Sequence, residues 1–226
     1  MNTPNKITLS RILLLPLIVF FYLADFVPYG RLVATLLFAL AALTDMWDGK
    51  YARKHNMVTD LGKFFDSIAD KCLIMTGLIL IVAGGIPPFG APIIYPSWAG
   101  VICVIIILAR EFIVSALRQI AAAKGKVLAA GQGGKIKATI QDIVVVLYMA
   151  FAFFVTEFRQ IINPETFNNI TGKVQFILLI ALCLTAIFTV YTGVDYLVKN
   201  RFVFMESKNF KKKEEDEPQT KEENKD

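Results

Sequence analysis

Four aspartates stand where acids are costly. Asp45 and Asp48 lie three residues apart, and Asp66 and Asp70 lie four apart, all in stretches rich in apolar residues. On a helix, both spacings put the pair on one face. An acid at the centre of a lipid bilayer costs about 2.5–3.5 kcal/mol, less near the interface. The intervening segment centres near Met57, with Asp48 nine residues before it and Asp66 nine after, and with Asp45 and Asp70 at similar matched distances. In an antiparallel helical hairpin equal distance from the turn means equal height, so four carboxylates meet at two levels. They would repel one another unless cations balanced them. Oxygen-only ligands suit Mg²⁺, Mn²⁺ or Ca²⁺ rather than zinc. Two such ions form a clamp for substitution at phosphorus. Two other readings compete: ion pairs with Lys50, Arg53, Lys63 and Lys71, and a proton or cation pathway.

Small residues interleave with the acids. Gly49 follows Asp48, Ala52 lies one turn beyond Asp48, and Gly62 lies one turn before Asp66. They let a bulky or planar group approach the backbone, or let the two helices pack closely. Arg53 sits at the mouth of the cluster, where a diphosphate needs a cation.

A second polar set is cationic. Arg110, Glu111, Ser115 and Arg118 punctuate an apolar run. At about 100° per residue Glu111 and Arg118 lie about 20° apart, and Ser115 about 60° from Arg118. Arg110 lies about 80° from Arg118. Further on, Gly133 and Gly134 precede Lys135 and Lys137 at the start of another apolar run. A helix N-terminus and nearby lysines favour phosphate, and the fixed fork of arginine suits a phosphomonoester. The expectation is an anion pocket at Arg110, Arg118 and Lys135; snorkelling and topology account for Lys124 and Lys126.

The elements that must position these groups follow from composition. The chain has 226 residues, 55% hydrophobic and 19% charged, with a formal net charge of +5. Its mean hydropathy is +0.55. This composition argues against a disordered or nucleic-acid-coating chain and for lipid as solvent. Apolar runs predict six membrane helices, near 8–28, 31–54, 62–86, 95–124, 136–157 and 173–200. Arg53, Lys54, Lys124, Lys126, Lys135 and Lys137 fall in one set of connections, and Arg31, Arg159 and Lys173 in the other. The first set is expected on the cytoplasmic side, with both termini. Residues 206–226, rich in Glu, Asp and Lys, read as a disordered cytoplasmic tail beyond a catalytic domain at 1–205. Cys72, Cys103 and Cys183 form neither a disulfide framework nor a zinc pattern and read as core residues. His55, the only histidine, reads as an interfacial group.

The stretch Asp45-Met-Trp-Asp48-Gly49-Lys-Tyr-Ala52-Arg53, then Gly62-Lys-Phe-Phe-Asp66-Ser-Ile-Ala-Asp70, resembles the signature D-x2-D-G-x2-A-R-x8-G-x3-D-x3-D of the CDP-alcohol phosphatidyltransferase family. All eight positions are filled. The resemblance extends to the six-helix plan and covers about residues 1–200. It implies that Asp45, Asp48, Asp66 and Asp70 hold two divalent cations, Mg²⁺ or Mn²⁺, and that Asp70 is also the general base. It implies that Gly49, Ala52 and Gly62 border the cytidine, that Arg53 contacts the diphosphate, and that Asp48 helps hold the nucleotide.

Arg110-Glu111-Phe-x-Val-Ser115-x-Leu-Arg118 and Gly133-Gly134-Lys135-Ile136-Lys137 resemble the phosphatidylglycerophosphate-forming branch of that family. So does the opening Pro4-Asn5-x-x-Thr8-x-x-Arg11, which would put Asn5, Thr8 and Arg11 at the cytoplasmic edge beside the site. Thr8 serves equally as a helix cap and Arg11 as a topology charge. The branch often has Thr directly after the second lysine; here Ala138 stands there and Thr139 follows, so no role passes to Thr139. The implied substrates are CDP-diacylglycerol and sn-glycerol 3-phosphate, with Arg110, Glu111, Arg118, Lys135 and Lys137 binding the latter. The implied setting is a multi-pass enzyme of the cytoplasmic membrane, its site facing the cytoplasm, as a homodimer. The competing acceptors are inositol phosphate, serine and phosphatidylglycerol. A transporter would more often break a helix at its site and repeat its halves, and helices two and three have neither an internal proline nor a counterpart pair.

Overall fold

The computed structural model describes residues 3–54, 60–86, 91–123 and 132–200; within them the side chains at 3–8, 45–54, 60–67, 85–86, 91–92, 123, 132 and 135 lie outside the description. The architecture is six α-helices: α1 (Thr3–Leu23), α2 (Gly30–Lys54), α3 (Asp60–Ala83), α4 (Ser97–Ala123), α5 (Gln132–Phe158) and α6 (Pro164–Lys199). The expected all-α chain carries one small addition, an antiparallel pair of two-residue strands, β1 (Gly85–Ile86) and β2 (Ala91–Pro92), after α3.

Two helices, α1 and α6, depart at their boundaries from the sequence expectation, for local reasons. α1 begins at Thr3 rather than near 8, because Pro4 is compatible with a first helical turn. It ends at Leu23 rather than near 28: the chain turns through Pro28 and through Tyr29, whose φ of 57° is left-handed. Pro16 stays inside α1, which membrane helices tolerate. α6 begins at Pro164, nine residues before the expected 173. Asn163 caps it by accepting from the Glu165 amide, and Pro164 supplies a preset φ. Lys173 is therefore inside α6 rather than in a connection.

The interior draws one fully buried apolar side chain or more from every helix: Ile18, Phe38, Leu78, Ile107, Met149 and Leu182 belong to a single cluster. The surface is apolar as well. Leu13, Leu40, Phe112, Phe176, Leu184 and Ile187 are all exposed, the last to 66%. Water-facing surfaces rarely carry apolar patches on this scale. Among the described residues three helical spans are long and apolar enough to cross a membrane: Ser97–Ala122, Ile136–Phe158 and Pro164–Lys199. Shorter apolar stretches run through Leu9–Leu23 and Gly30–Thr44. They mark a membrane-embedded protein.

Three contacts set the register of the helices. Gly77 of α3 is pressed between α2 and α5: a Cβ there would lie 2.5 Å from Val145 Cγ1 and 2.7 Å from Phe38 Cε2. Gly84 meets Tyr22 of α1, and Gly133 meets Thr192 of α6. At the end of the bundle away from the aspartates, Arg31 is 8% exposed and donates to Thr156 Oγ1 at 2.6 Å and to Asp25 at 3.3 Å. Its guanidinium lies over the Tyr22 ring. Between the ends, Cys103 of α4 faces Cys183 of α6, with Sγ atoms 3.7 Å apart.

Candidate active site

Helix register brings three of the singled-out positions, 45, 70 and 137, to one height. From the Gly77 junction, seven residues along α2 from Phe38 reach position 45, seven back along α3 reach Asp70, and eight back along α5 from Val145 reach Lys137. At about 1.5 Å per residue these positions are level to within one residue's rise. From the Gly84–Tyr22 contact, eleven residues back along both helices pair Arg11 with Leu73, less than one turn from Asp70. Asp70 is exposed and lies within electrostatic reach of Lys137. The side chains of Asp45, Asp48, Gly49, Ala52, Arg53, Gly62 and Asp66 lie outside the described residues, as do those of Asn5, Thr8 and Lys135.

The cationic half of the site is built from α4, α5 and α6. Lys137 of α5 is buried and forms an ion pair with Glu111 Oε1 of α4. Arg110 Nη1 approaches the same carboxylate at 3.4 Å. The arginine is then fixed against α6: its Nε donates to the Thr189 carbonyl at 3.1 Å, and its Nη2 donates to Thr192 Oγ1 at 3.2 Å. Gly193 makes room for this, since a Cβ there would lie 2.8 Å from Arg110 Cγ. Lys137 is also reached by the charges of Asp142, Arg110 and Lys71, and Arg110 by Arg118 and Tyr196. Arg118 itself is exposed toward the inner end of α4.

The expected anion pocket is thus divided by role. Glu111 and Lys137 neutralise each other across α4 and α5. Arg110 spends part of its donor fork on α6. Arg118 keeps an exposed head. Arg11 is only 1% exposed, so its guanidinium is turned into the bundle at the height of the aspartates and not out along a surface edge. Sequence reasoning predicted α6 but gave it no part in the site. Thr185, Thr189, Thr192 and Tyr196 recur every three or four residues along it, a polar stripe in an apolar helix that could have signalled a site wall. It missed Gln141 too, one turn beyond Lys137 on the same face of α5 and 2% exposed.

The arrangement can do two things chemically. It can hold an anion between Arg110 and Arg118, and it can present that anion to a carboxylate at the height of Lys137. These are the two halves of a transfer to phosphorus, and the family model for CDP-alcohol phosphatidyltransferase matches residues 1–199, all six helices.

The chain belongs to the CDP-alcohol phosphatidyltransferase family.

Within that family it is similar to the CDP-diacylglycerol–glycerol-3-phosphate 3-phosphatidyltransferase of Bacillus subtilis (strain 168). The two are 37% identical over 210 residues, covering 88% of this chain and 95% of the relative. It is similar to a protein of Salmonella choleraesuis with the same name, 37% identical over 145 residues, covering 63% and 73%. It is also similar to a probable phosphatidylglycerophosphate synthase of Mycobacterium tuberculosis, 32% identical over 200 residues, covering 88% and 81%. The match to the family model stops before the charged tail.

Proposed function

We propose that this family member transfers the phosphatidyl group of CDP-diacylglycerol to sn-glycerol 3-phosphate, giving phosphatidylglycerophosphate and CMP. The observation that supports the reading is the cluster of Arg110, Glu111 and Lys137 joined across α4, α5 and α6, with Lys137 within reach of the charge of Asp70. A relative named for this reaction, similar over nearly its whole length, supports it. A soluble phosphomonoester, close to a dianion, fits paired arginines, whereas serine offers a carboxylate beside its own ammonium and phosphatidylglycerol a singly charged phosphodiester held in the lipid.

In this reading the phosphate of the acceptor lies between Arg118 and Arg110, and its C1 hydroxyl points at Asp70. Asp70 accepts the hydroxyl proton. The acceptor oxygen forms a bond to the phosphorus bearing diacylglycerol, and the bond from that phosphorus to the CMP oxygen breaks. Arg53 balances charge on the departing CMP. Gly49, Ala52 and Gly62 leave space for the cytidine. Asp45, Asp48, Asp66 and Asp70 are an oxygen-only donor set on two helices, with positions 45 and 70 level, which fits hard divalent ions. Two Mg²⁺ or Mn²⁺ ions bound there would supply the positive charge that offsets the diphosphate. Most of the acceleration then comes from positioning and fixed charge.

The same proposal puts all six helices across the cytoplasmic membrane with both termini and the site on the cytoplasmic side, in a homodimer. The Lys and Arg placement supports that orientation.

The test is CMP release by purified protein in detergent, with CDP-diacylglycerol, Mg²⁺ and one acceptor at a time: glycerol 3-phosphate, inositol phosphate, serine or phosphatidylglycerol. Release only with glycerol 3-phosphate is the expected result. Release with another acceptor instead would overturn the reading of α4. No release with any of the four would return the aspartates to a transport role.

A further inference from the structure

Two thiols meet inside the bundle. Cys103 of α4 and Cys183 of α6 are free, with their Sγ atoms 3.7 Å apart. Both lie within spans long and apolar enough to cross a membrane. A third polar group stands by them. Tyr148 of α5 is fully buried and within electrostatic reach of both sulfurs, and its hydroxyl has no hydrogen-bond partner among the described residues. Native structures rarely leave such a group unpaired without a task for it. The cysteines differ in access: Cys103 is 8% exposed, whereas Cys183 is half-buried beside the exposed Leu184. A reagent therefore reaches the pair from the lipid. Cys103 lies seven residues before Arg110, and Cys183 six before Thr189. The thiols thus sit about two turns from the contact in which the Thr189 carbonyl accepts from Arg110 Nε. Thiols already in contact can close to an S–S bond of about 2.05 Å without rebuilding either helix.

We propose that Cys103 and Cys183 are a redox-active pair that closes to a disulfide stapling α4 to α6, with a lipid-soluble quinone as the oxidant. The two thiols give up two protons and two electrons, one S–S bond forms, and the quinone leaves as its hydroquinone. The attacking species is a thiolate, and the Tyr148 hydroxyl can donate to it where no water does. The staple joins residues 80 apart in sequence, with all of α5 in the loop between them. A long loop closed in this way restricts the unfolded chain strongly. The staple also ties together the two helices that share Arg110, so that wall survives conditions that would part them. The bond is independent of which alcohol accepts; only its service to an acceptor pocket rests on that reading.

The experiment treats the full chain in lipid nanodiscs with decylubiquinone, a fully substituted benzoquinone, and counts free thiols by maleimide labelling after denaturation. The three cysteines of the chain should leave only Cys72 free, with a Cys103–Cys183 bond within one chain by peptide mapping. Oxidised glutathione, which stays in water, should leave all of them free. The oxidised protein should unfold about 5–10 °C above the reduced one and should keep CMP release after a heat step that inactivates the reduced form. Cys183→Ser should show neither change, and Cys72→Ser should respond as wild type does. Tyr148→Phe should slow bond formation about fivefold. Thiols that all stay free under quinone overturn the proposal, as does a bond to Cys72 or between two chains. An unchanged midpoint with the bond in place overturns the staple. Equal reaction with glutathione overturns access from the lipid, and an unchanged rate in Tyr148→Phe removes the tyrosine from the step. A raised midpoint in a protein that never releases CMP with glycerol 3-phosphate leaves the staple standing and sinks the acceptor reading instead.

Discussion

At the scale of single residues the proposed chemistry turns on two charges. Asp70 is the carboxylate assigned to the acceptor proton. Asp70→Asn keeps the shape and removes the base, so CMP release should fall by about 10²–10⁴, with a thermal unfolding midpoint close to wild type. Near-normal turnover in Asp70→Asn would remove the assignment. Glu111 is the counter-charge of Lys137, and the pair is 14% and 4% exposed. Removing one member of a buried pair strands the other, at a cost on the order of 3 kcal/mol. Asp70 and Asp142 also reach Lys137 and soften that cost. Glu111→Ala should therefore lower the unfolding midpoint in detergent, and the double variant with Lys137→Met should recover most of the loss. A double variant as unstable as the single would mean that the pair contributes packing rather than charge balance. Arg118, by contrast, is exposed, so its attraction for a phosphate is screened by salt. Arg118→Ala should raise KM for glycerol 3-phosphate and flatten its dependence on ionic strength, with KM for the lipid unchanged. The same salt dependence in wild type and variant would move the phosphate elsewhere.

At the scale of elements, two glycines set how helices meet. Gly77 admits Val145 and Phe38 at distances no Cβ could share, and this junction fixes the heights of Asp70, Lys137 and position 45. Gly77→Ala overfills it, at about 1–3 kcal/mol. The unfolding midpoint should drop, and Val145→Ala in the same chain should restore part of it. No change in midpoint would show that the junction relaxes freely. The second glycine, Gly193, lies under the Arg110 stem. Its neighbours Thr189 and Thr192 orient that arginine, so α6 acts on the pocket through a residue that α4 supplies. The three-residue and four-residue spacing of the acids and of the Arg110–Arg118 set was enough to place those groups on helix faces. The α6 stripe was passed over because threonines in membrane helices commonly return their hydroxyls to their own backbone, as Thr185 does to the Ala181 carbonyl. Only packing distinguishes such a threonine from Thr189, whose hydroxyl has no such partner among the described residues.

At the scale of the whole molecule, the surface decides the solvent. Exposed Leu, Ile and Phe run along the helices, and the proposed orientation rests on where the Lys and Arg residues fall between them. In a cysteine-free background, a single cysteine introduced in the tail beyond 206 should react with a membrane-impermeant maleimide only after cells are opened, and one introduced at Asn163 should react in intact cells. The reverse pattern would invert the topology and put the site on the wrong side for a soluble cytoplasmic acceptor. The helix count was legible because an apolar run long enough for a bilayer is a strong one-dimensional signal. Its boundaries were less so. Asn163 and Pro164 start α6 in a polar stretch, where capping outweighs hydropathy.

The sequence by itself determined the chemistry on offer: four aspartates at helical spacings, small residues among them, a basic face on a later helix, and a solvent of lipid. Residue type and local periodicity carry that information along the chain. The tertiary structure alone decided which groups neutralise one another and which are held against a neighbouring helix. Glu111 and Lys137 are far apart in sequence and cancel in space. Arg110 is shaped by α6, and Arg11 is buried in the bundle. Such pairings depend on helix register, which is set by side-chain volume at contacts such as Gly77 with Val145 and Phe38, and volume complementarity between distant segments has no periodic signature.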